Sequence, residues 1–316
     1  MTDKTNLSFA ILGTGALGGL YGGLLANAGN EVHFLARSDL ENLQKNGLRV
    51  DSPIRSFHLS EPSVHGRPDS VPQVDVAIVA WKTTSNAALA ETLGKVLKPN
   101  GLVLVLQNGL NVEADSAAIV GEERVLGGCC FLCSNKVGPG HIHHLDYGSI
   151  VFGEYALALT GKISNRMRQI TEIFSSAGMD IKPSENLALV RWKKLVWNIP
   201  FNGLSVVLGA STDKIMRDKS TRQLAEDLMW DVVAAAKACD VEIEEVHVER
   251  MLDATENMVP YDSSMFLDYK AKRPIEVESI FGNPVRAALA ANYRPTKIEV
   301  LYQQLCYLDQ ENRRAG

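Results

Sequence analysis

The segment Gly13-Thr14-Gly15-Ala16-Leu17-Gly18 limits what this chain can fold into more than any other. It follows Ser8-Phe9-Ala10-Ile11-Leu12, an apolar run that reads as a buried strand. It opens a stretch in which Leu17, Leu20, Leu24, Leu25 and Ala28 recur at helical spacing, and Gly29-Asn30 supplies a helix stop. Glu31 to Leu35 then reads as a second strand. Strand, glycine turn, helix and strand make one βαβ unit, the setting in which Gly-x-Gly-x-x-Gly becomes a credible dinucleotide-binding signal. Gly13 permits the tight turn, Gly15 lets a pyrophosphate approach the backbone, and Gly18 allows close helix–strand packing. Thr14, Ala16 and Leu17 complete the turn, whose amides and positive helix end suit phosphate.

The alternation continues. Val74 to Ala80 reads as a strand, Asn86 to Leu97 as a helix and Leu102 to Leu106 as a strand, with a hairpin around Pro53 between Leu48 and Leu59. Ile163 to Ala177 reads as helical and Met179 to Lys182 as a last strand. This pattern predicts an α/β fold with a doubly wound, mostly parallel sheet of Rossmann type. Beyond Pro183 strand signals vanish: Leu187 to Val207, Thr221 to Cys239, Val246 to Asn257 and Lys297 to Asn312 all read as helices. With 316 residues the chain has room for two domains. We therefore expect a nucleotide-binding domain over residues 1–184 and an all-helical domain over 185–316, with Ser184 as a cap for the next helix.

The end of the second strand bears on the choice of cofactor. An NAD site carries an acidic residue there; this chain has Arg37, whose guanidinium suits the 2′-phosphate of NADP. The alternative leaves Arg37 as a solvated loop charge and gives the ribose to Asp39. Lys82 and Asn108 follow two later strands, at the ends where open α/β sheets bind ligands.

The run from Leu187 to Asn202 is too apolar for a surface helix, yet Lys194, Asn198 and Asn202 are spaced by four along it. Residues so spaced share a helix face. A solvated face would carry Lys and Glu pairs rather than two Asn, which are poor helix formers. The stripe therefore predicts a polar pocket. Lys193 lies about 100° round the helix and should point to solvent.

Together these segments resemble the ketopantoate reductase (2-dehydropantoate 2-reductase) family. The carriers are the glycine turn, Arg37, Lys82, Gln107-Asn108-Gly109, the run from Trp192 to Asn202, and Ser263-Ser264-Met265 with Glu276 beyond. The resemblance implies a site between the two domains, NADPH as hydride donor and a 2-keto acid as acceptor. It implies Lys194 as the proton donor, Asn198, Asn202 and Ser264 on the substrate, and Lys82, Asn108 and Glu276 at the cofactor end. Ser263-Ser264 could instead cap a helix, and Glu276 could be a first-turn charge. The chain departs from the family at Gly203, where a proline is frequent, and at Gly209 to Thr212, where an asparagine is common. The stretch from Gly128 to His144 is also atypical. These departures leave the reaction type intact and the identity of the keto acid open.

Other classes fit less well. The net charge of −5 and the lack of a Lys/Arg run argue against nucleic acid. Met1 to Asn6 has no apolar signal core, and no apolar run reaches the roughly 18 residues of a membrane helix. Five Cys, three of them at 129, 130 and 133, suit a reduced cytoplasmic protein, with packed thiols preferred over a metal or redox site made with His141, His143 and His144. No metal is expected, and a homodimer is admitted. The competing readings are a related dehydrogenase acting on another small 2-keto or hydroxy acid, and an NADP-binding sensor without catalysis.

Overall fold

The computed structural model describes residues 7–314, so the polar N-terminal residues 1–6 lie outside the described residues. Among the described residues ten strands form one sheet: β1 (Phe9–Leu12), β2 (Val32–Leu35), β3 (Leu48–Asp51), β4 (Phe57–Leu59), β5 (Ser63–His65), β6 (Val74–Val79), β7 (Leu97–Val105), β8 (Val125–Gly138), β9 (His141–Glu154) and β10 (Ile181–Pro183). Their order is β4-β3-β9-β8-β7-β6-β1-β2-β5, with β10 also paired to β9. The strands β7, β6, β1, β2 and β5 run parallel, as the alternation of strands and helices predicts. Register aligns Leu12 with Leu35 and Val79, and Val79 with Val105. The loops that carry Gly13, Arg37, Lys82 and Asn108 therefore all leave the strands beyond one row of the sheet.

The sheet is nevertheless mixed. β8 and β9 form a long antiparallel hairpin, and the β3–β4 hairpin around Pro53 is antiparallel as expected. β9 was not legible as a strand. It contains three histidines, and although Ile142, His144, Gly148, Ile150 and Phe152 are buried in alternation, the polar His144 is among them while Leu145 and Tyr147 are exposed. His144, a candidate ligand by sequence, is buried, with Nδ1 2.8 Å from Ser52 Oγ and Nε2 3.0 Å from the Asp146 carbonyl. Burial pushes its imidazole below the ordinary value. Cys129, Cys130 and Cys133 are buried on β8.

Five helices accompany the sheet: α1 (Ala16–Asn27), α2 (Leu40–Asn46), α3 (Leu89–Val96), α4 (Ala114–Val120) and α5 (Asn165–Ser176). The helix expected from Asn86 begins as a 3₁₀ turn over Thr83–Ala88. Seven more follow: α6 (Leu187–Leu208), α7 (Thr212–Arg217), α8 (Lys219–Ala238), α9 (Val246–Asn257), α10 (Ser264–Lys270), α11 (Asn283–Ala290) and α12 (Thr296–Arg314). No strand occurs after Pro183 among the described residues. The Ser184 hydroxyl accepts from the Asn186 amide at 3.3 Å, ahead of α6.

The chain divides into two compact units. One comprises residues 1–107 and 113–187, and the other residues 108–112 and 188–316. Asn108–Val112 thus packs with the helical unit although it directly follows the sheet strand β7, a feature no local pattern announces. In that unit α7, α9, α11 and α12 pack on α8. Asp231 of α8 accepts from the Lys297 and Ile298 amides at 2.9 and 3.1 Å and so caps α12.

Helix α1 meets the sheet through glycines that leave no room for a Cβ. A Cβ on Gly18 would stand 2.0 Å from the Gly13 carbonyl oxygen, and one on Gly22 would stand 2.6 Å from Ile11. A Gly18→Ala substitution is therefore expected to destabilise the protein by about 1–3 kcal/mol, the usual cost of overpacking. Urea unfolding with an unchanged m-value would measure it.

Candidate active site

The glycine turn has the geometry its spacing implies. Gly13 has φ +105°, and a Cβ there would meet the Trp81 backbone at 2.9 Å. Gly15 stands at the N-cap of α1, no side chain of the described residues caps the helix, and beyond its chain neighbours none of their atoms lies within 4 Å of the position of a Gly15 Cβ. First-turn amides with no side-chain cap, beside a residue whose side-chain direction is open, fit a pyrophosphate. Thr14, Ala16 and Leu17 flank it at intermediate exposure.

Arg37 is exposed, and its guanidinium donates to Ser85 Oγ at 3.2 Å. Asp39 does not present its carboxylate alongside. It is buried, bonded by Lys136 Nζ at 2.5 Å and by the Gly140 amide at 3.3 Å. The alternative in which Asp39 serves the ribose is therefore disfavoured by the commitment of its oxygens. Lys82 is half-buried at the start of the 3₁₀ turn. Its loop is braced by buried Gln107, whose Nε2 donates to the Trp81 carbonyl at 3.0 Å and to Asn86 Oδ1 at 2.7 Å.

In the helical unit, α6 continues through Pro200 as one helix and is buried almost all round. Trp192, Leu195, Val196 and Ile199 belong to the apolar core. Asn198 and Asn202 are each 2% exposed, and Asn198 Nδ2 has no hydrogen-bond partner among the described residues. Lys194 is half-buried, with Nζ 5.6 Å from the centre of the Trp197 ring.

The stripe is longer than its sequence spacing suggested. Arg191 and Ser205 are also buried, and at about 100° per residue Arg191, Lys194, Asn198, Asn202 and Ser205 fall within roughly 80° of arc. Ser205 Oγ likewise has no partner among the described residues. Both additions lie three residues beyond a predicted member, so helical spacing could have found them. Lys193 is half-buried rather than solvated, and its carbonyl accepts from His247 Nε2 at 3.2 Å. Burial pushes the His247 imidazole down from its ordinary value, and the charges of Lys193 and Arg250 add to this. Lys193 therefore belongs with α9, away from the stripe.

Asn108 is half-buried at the start of a segment pinned to a π-helical turn, Glu278–Gly282. The Leu110 amide donates to the Ser279 carbonyl at 2.9 Å, and Asn283 Nδ2 donates to the Leu110 carbonyl at 2.7 Å. A Cβ on Gly109, at φ +118°, would stand 2.4 Å from that Ser279 oxygen. Glu276 is buried just before the same turn, so it is no exposed first-turn charge. Ser263 caps α10 by accepting from the Phe266 amide at 3.3 Å, which leaves Ser264 as the first helical residue, half-buried.

Two family models match consecutive parts of the chain. One, described as ketopantoate reductase PanE/ApbA, covers residues 9–156, and its C-terminal counterpart covers residues 186–307. The chain belongs to the ketopantoate reductase family. A curated 2-dehydropantoate 2-reductase from Nostoc sp. is 50% identical over 306 residues, 96% of each protein. The structure of 2-dehydropantoate 2-reductase from Geobacter metallireducens shares 36% identity at a TM-score of 0.91, over 96% of this chain and all of that one. A D-mandelate dehydrogenase solved with NADH and anilino(oxo)acetate has a TM-score of 0.86 at 20% identity, covering 97% of this chain and 99% of that one, and so shares the fold alone.

The contrast between the turn glycines gives a direct check. Gly15→Ala is expected to leave thermal unfolding nearly unchanged, because its Cβ meets no atom, while weakening NADPH binding about tenfold or more, since the pyrophosphate needs that approach. Fluorescence titration with NADPH beside a thermal melt separates the two effects.

Proposed function

We propose that this enzyme reduces 2-dehydropantoate to pantoate with NADPH, the step that supplies pantoate for pantothenate and coenzyme A synthesis. The observation that carries the reading is the stripe on α6, where a lysine and two buried amides interrupt an otherwise apolar helix. Burying such groups is costly unless a polar partner meets them, and Asn198 Nδ2 has none among the described residues. A small polar substrate supplies that partner. The close identity to the Nostoc reductase supports the same conclusion.

In this reading Gly13, Thr14, Gly15, Ala16, Leu17 and Gly18 hold the pyrophosphate of NADPH and Arg37 holds its 2′-phosphate. Lys82, Asn108 and Glu276 orient the other end of the cofactor. NADPH, when bound, supplies the hydride for C2 of the keto acid. Lys194 gives the proton from Nζ to the C2 oxygen as its negative charge develops, so that hydride and proton together turn the ketone into an alcohol. The ammonium stabilises that oxygen before the transfer. Asn198, Asn202 and Ser264 hold the carboxylate and hydroxyl of the substrate and fix the carbonyl against Lys194. We place the protein in the cytoplasm with its substrates. A homodimer is compatible with the reading, since a ketopantoate reductase from Staphylococcus aureus is described as dimeric.

One observation favours a second reading, in which another small 2-keto acid is preferred. Where the family commonly places an asparagine, this chain has Gly209 to Thr212. Thr212 is fully buried, with its hydroxyl donating to the Tyr261 carbonyl at 3.1 Å, so that hydroxyl is committed to structure.

Purified protein is expected to consume NADPH with 2-dehydropantoate, followed by absorbance, at a kcat/KM above that for other 2-keto acids. A larger value for another acid establishes the second reading, and no turnover with any of them removes both. Lys194→Ala is expected to lower kcat by roughly 10² or more, with NADPH affinity nearly unchanged. Lys193→Ala should be mild by comparison; a greater loss there than at Lys194 would displace the assignment of the whole stripe.

A further inference from the structure

We infer that Lys136, on the β8–β9 hairpin, is a specificity-determining residue for NADPH that acts by neutralising Asp39 beside Arg37. The inference rests on the reading of Arg37 as the 2′-phosphate contact.

Asp39 occupies the N-cap position of α2, where an aspartate ordinarily accepts from the amides of the first turn. Here it makes no such bond. Its carboxylate is 4% exposed and faces the hairpin, where Lys136 Nζ stands 2.5 Å from Oδ2 and the Gly140 amide donates to the same oxygen at 3.3 Å. Ser38 Oγ donates to Oδ1 at 3.3 Å. Two further bonds seat the hairpin end, Asn42 Nδ2 of α2 to the Pro139 carbonyl at 2.7 Å and the Arg49 amide of β3 to the Gly140 carbonyl at 2.8 Å. A Cβ on Gly140 would stand 2.6 Å from Asn42 Nδ2, so the contact is close.

Asp39 is two residues from Arg37, and a bare carboxylate there would oppose a cofactor that carries an extra phosphate. An acidic group near this strand end is how an NAD site is made. In this chain the acid is retained but its charge is cancelled by a lysine from a distant part of the sequence. The pairing also holds the Arg37–Ser38 loop, so that the guanidinium stays exposed beside Ser85. Lys136 is a positioning residue: it need not touch the cofactor.

The test is direct binding of NADPH and of NADH by fluorescence titration at low and high salt. Lys136→Met is expected to weaken NADPH roughly 3- to 10-fold, as an uncompensated charge at this range does, and NADH by less than about twofold. The NADPH loss should shrink in 0.5 M KCl, because screening acts on charge and not on packing. Lys136→Arg should bind as the parent does, and Asp39→Asn combined with Lys136→Met should restore the preference. Equal losses for both cofactors, no loss for either, or a double variant as weak as Lys136→Met would overturn the inference. Should Lys136→Met fail to fold, Asp39→Asn alone decides: NADPH held or tightened supports it, and parallel losses of both cofactors sink it. Arg37→Ala is the control. A loss confined to NADPH upholds the reading of Arg37 whatever Lys136 does, whereas equal losses there remove that reading and the inference with it.

Discussion

Helix α1 comes as near the sheet as it does because its inward positions lack a Cβ. Gly18 and Gly22 lie against Ile11, and Gly22 also against Phe34, while Gly19 and Gly23 lie against Ile142, Leu48 and Phe57. Each glycine inside a helix costs about 0.5–1 kcal/mol relative to alanine. That cost is offset by the burial of Phe9, Ile11, Leu20, Leu24 and Phe34 in one continuous core. The same seating brings the first turn of the helix to the end of β1, where its amides carry no side-chain cap. The position of the glycine turn is thus a consequence of helix packing. The loops bearing Arg37 and Lys82 take their places from the register of the neighbouring strands.

The helical unit solves a different problem. Its core surrounds α6, yet one face of that helix carries arginine, lysine, two asparagines and serine. A folded protein tolerates such a face only if each polar group has a use, since replacing it by an apolar residue would otherwise stabilise the unit. The aromatic neighbours support this face: Trp197 lies 5.2 Å from Phe201 between ring centres and donates from Nε1 to Thr255 Oγ1 at 3.0 Å. The ring near Lys194 Nζ is therefore held from two sides, by Phe201 and by Thr255.

Much of this was legible from local pattern. The βαβ unit, the hairpin at Pro53 and the long helices of the second half appear close to where periodicity puts them, because each buries a face that repeats at its own period. Strand β9 escaped because the inward position 144 is a histidine while Leu145 and Tyr147 on the other face are exposed, so its sequence has no clean apolar alternation. The bonds of His144 to Ser52 and the Asp146 carbonyl show how a histidine becomes a core residue. Arg191 and Ser205 were within reach of the helical spacing that found Lys194, Asn198 and Asn202.

By itself the sequence determined the glycine turn, the parallel sheet around it and the polar stripe on an apolar helix, since each depends on residues within one or two turns of chain. Tertiary structure alone decided which charges remain available. Asp39 and Arg37 are two positions apart and equally exposed on a one-dimensional reading. Only the return of the chain at Lys136 turns one inward and leaves the other at the surface. Likewise only packing assigns Asn108 to Val112 to the helical unit, through bonds to Ser279 and Asn283 that lie about 170 residues away along the chain. Contacts of that range follow from how whole faces are buried, and no local pattern encodes them.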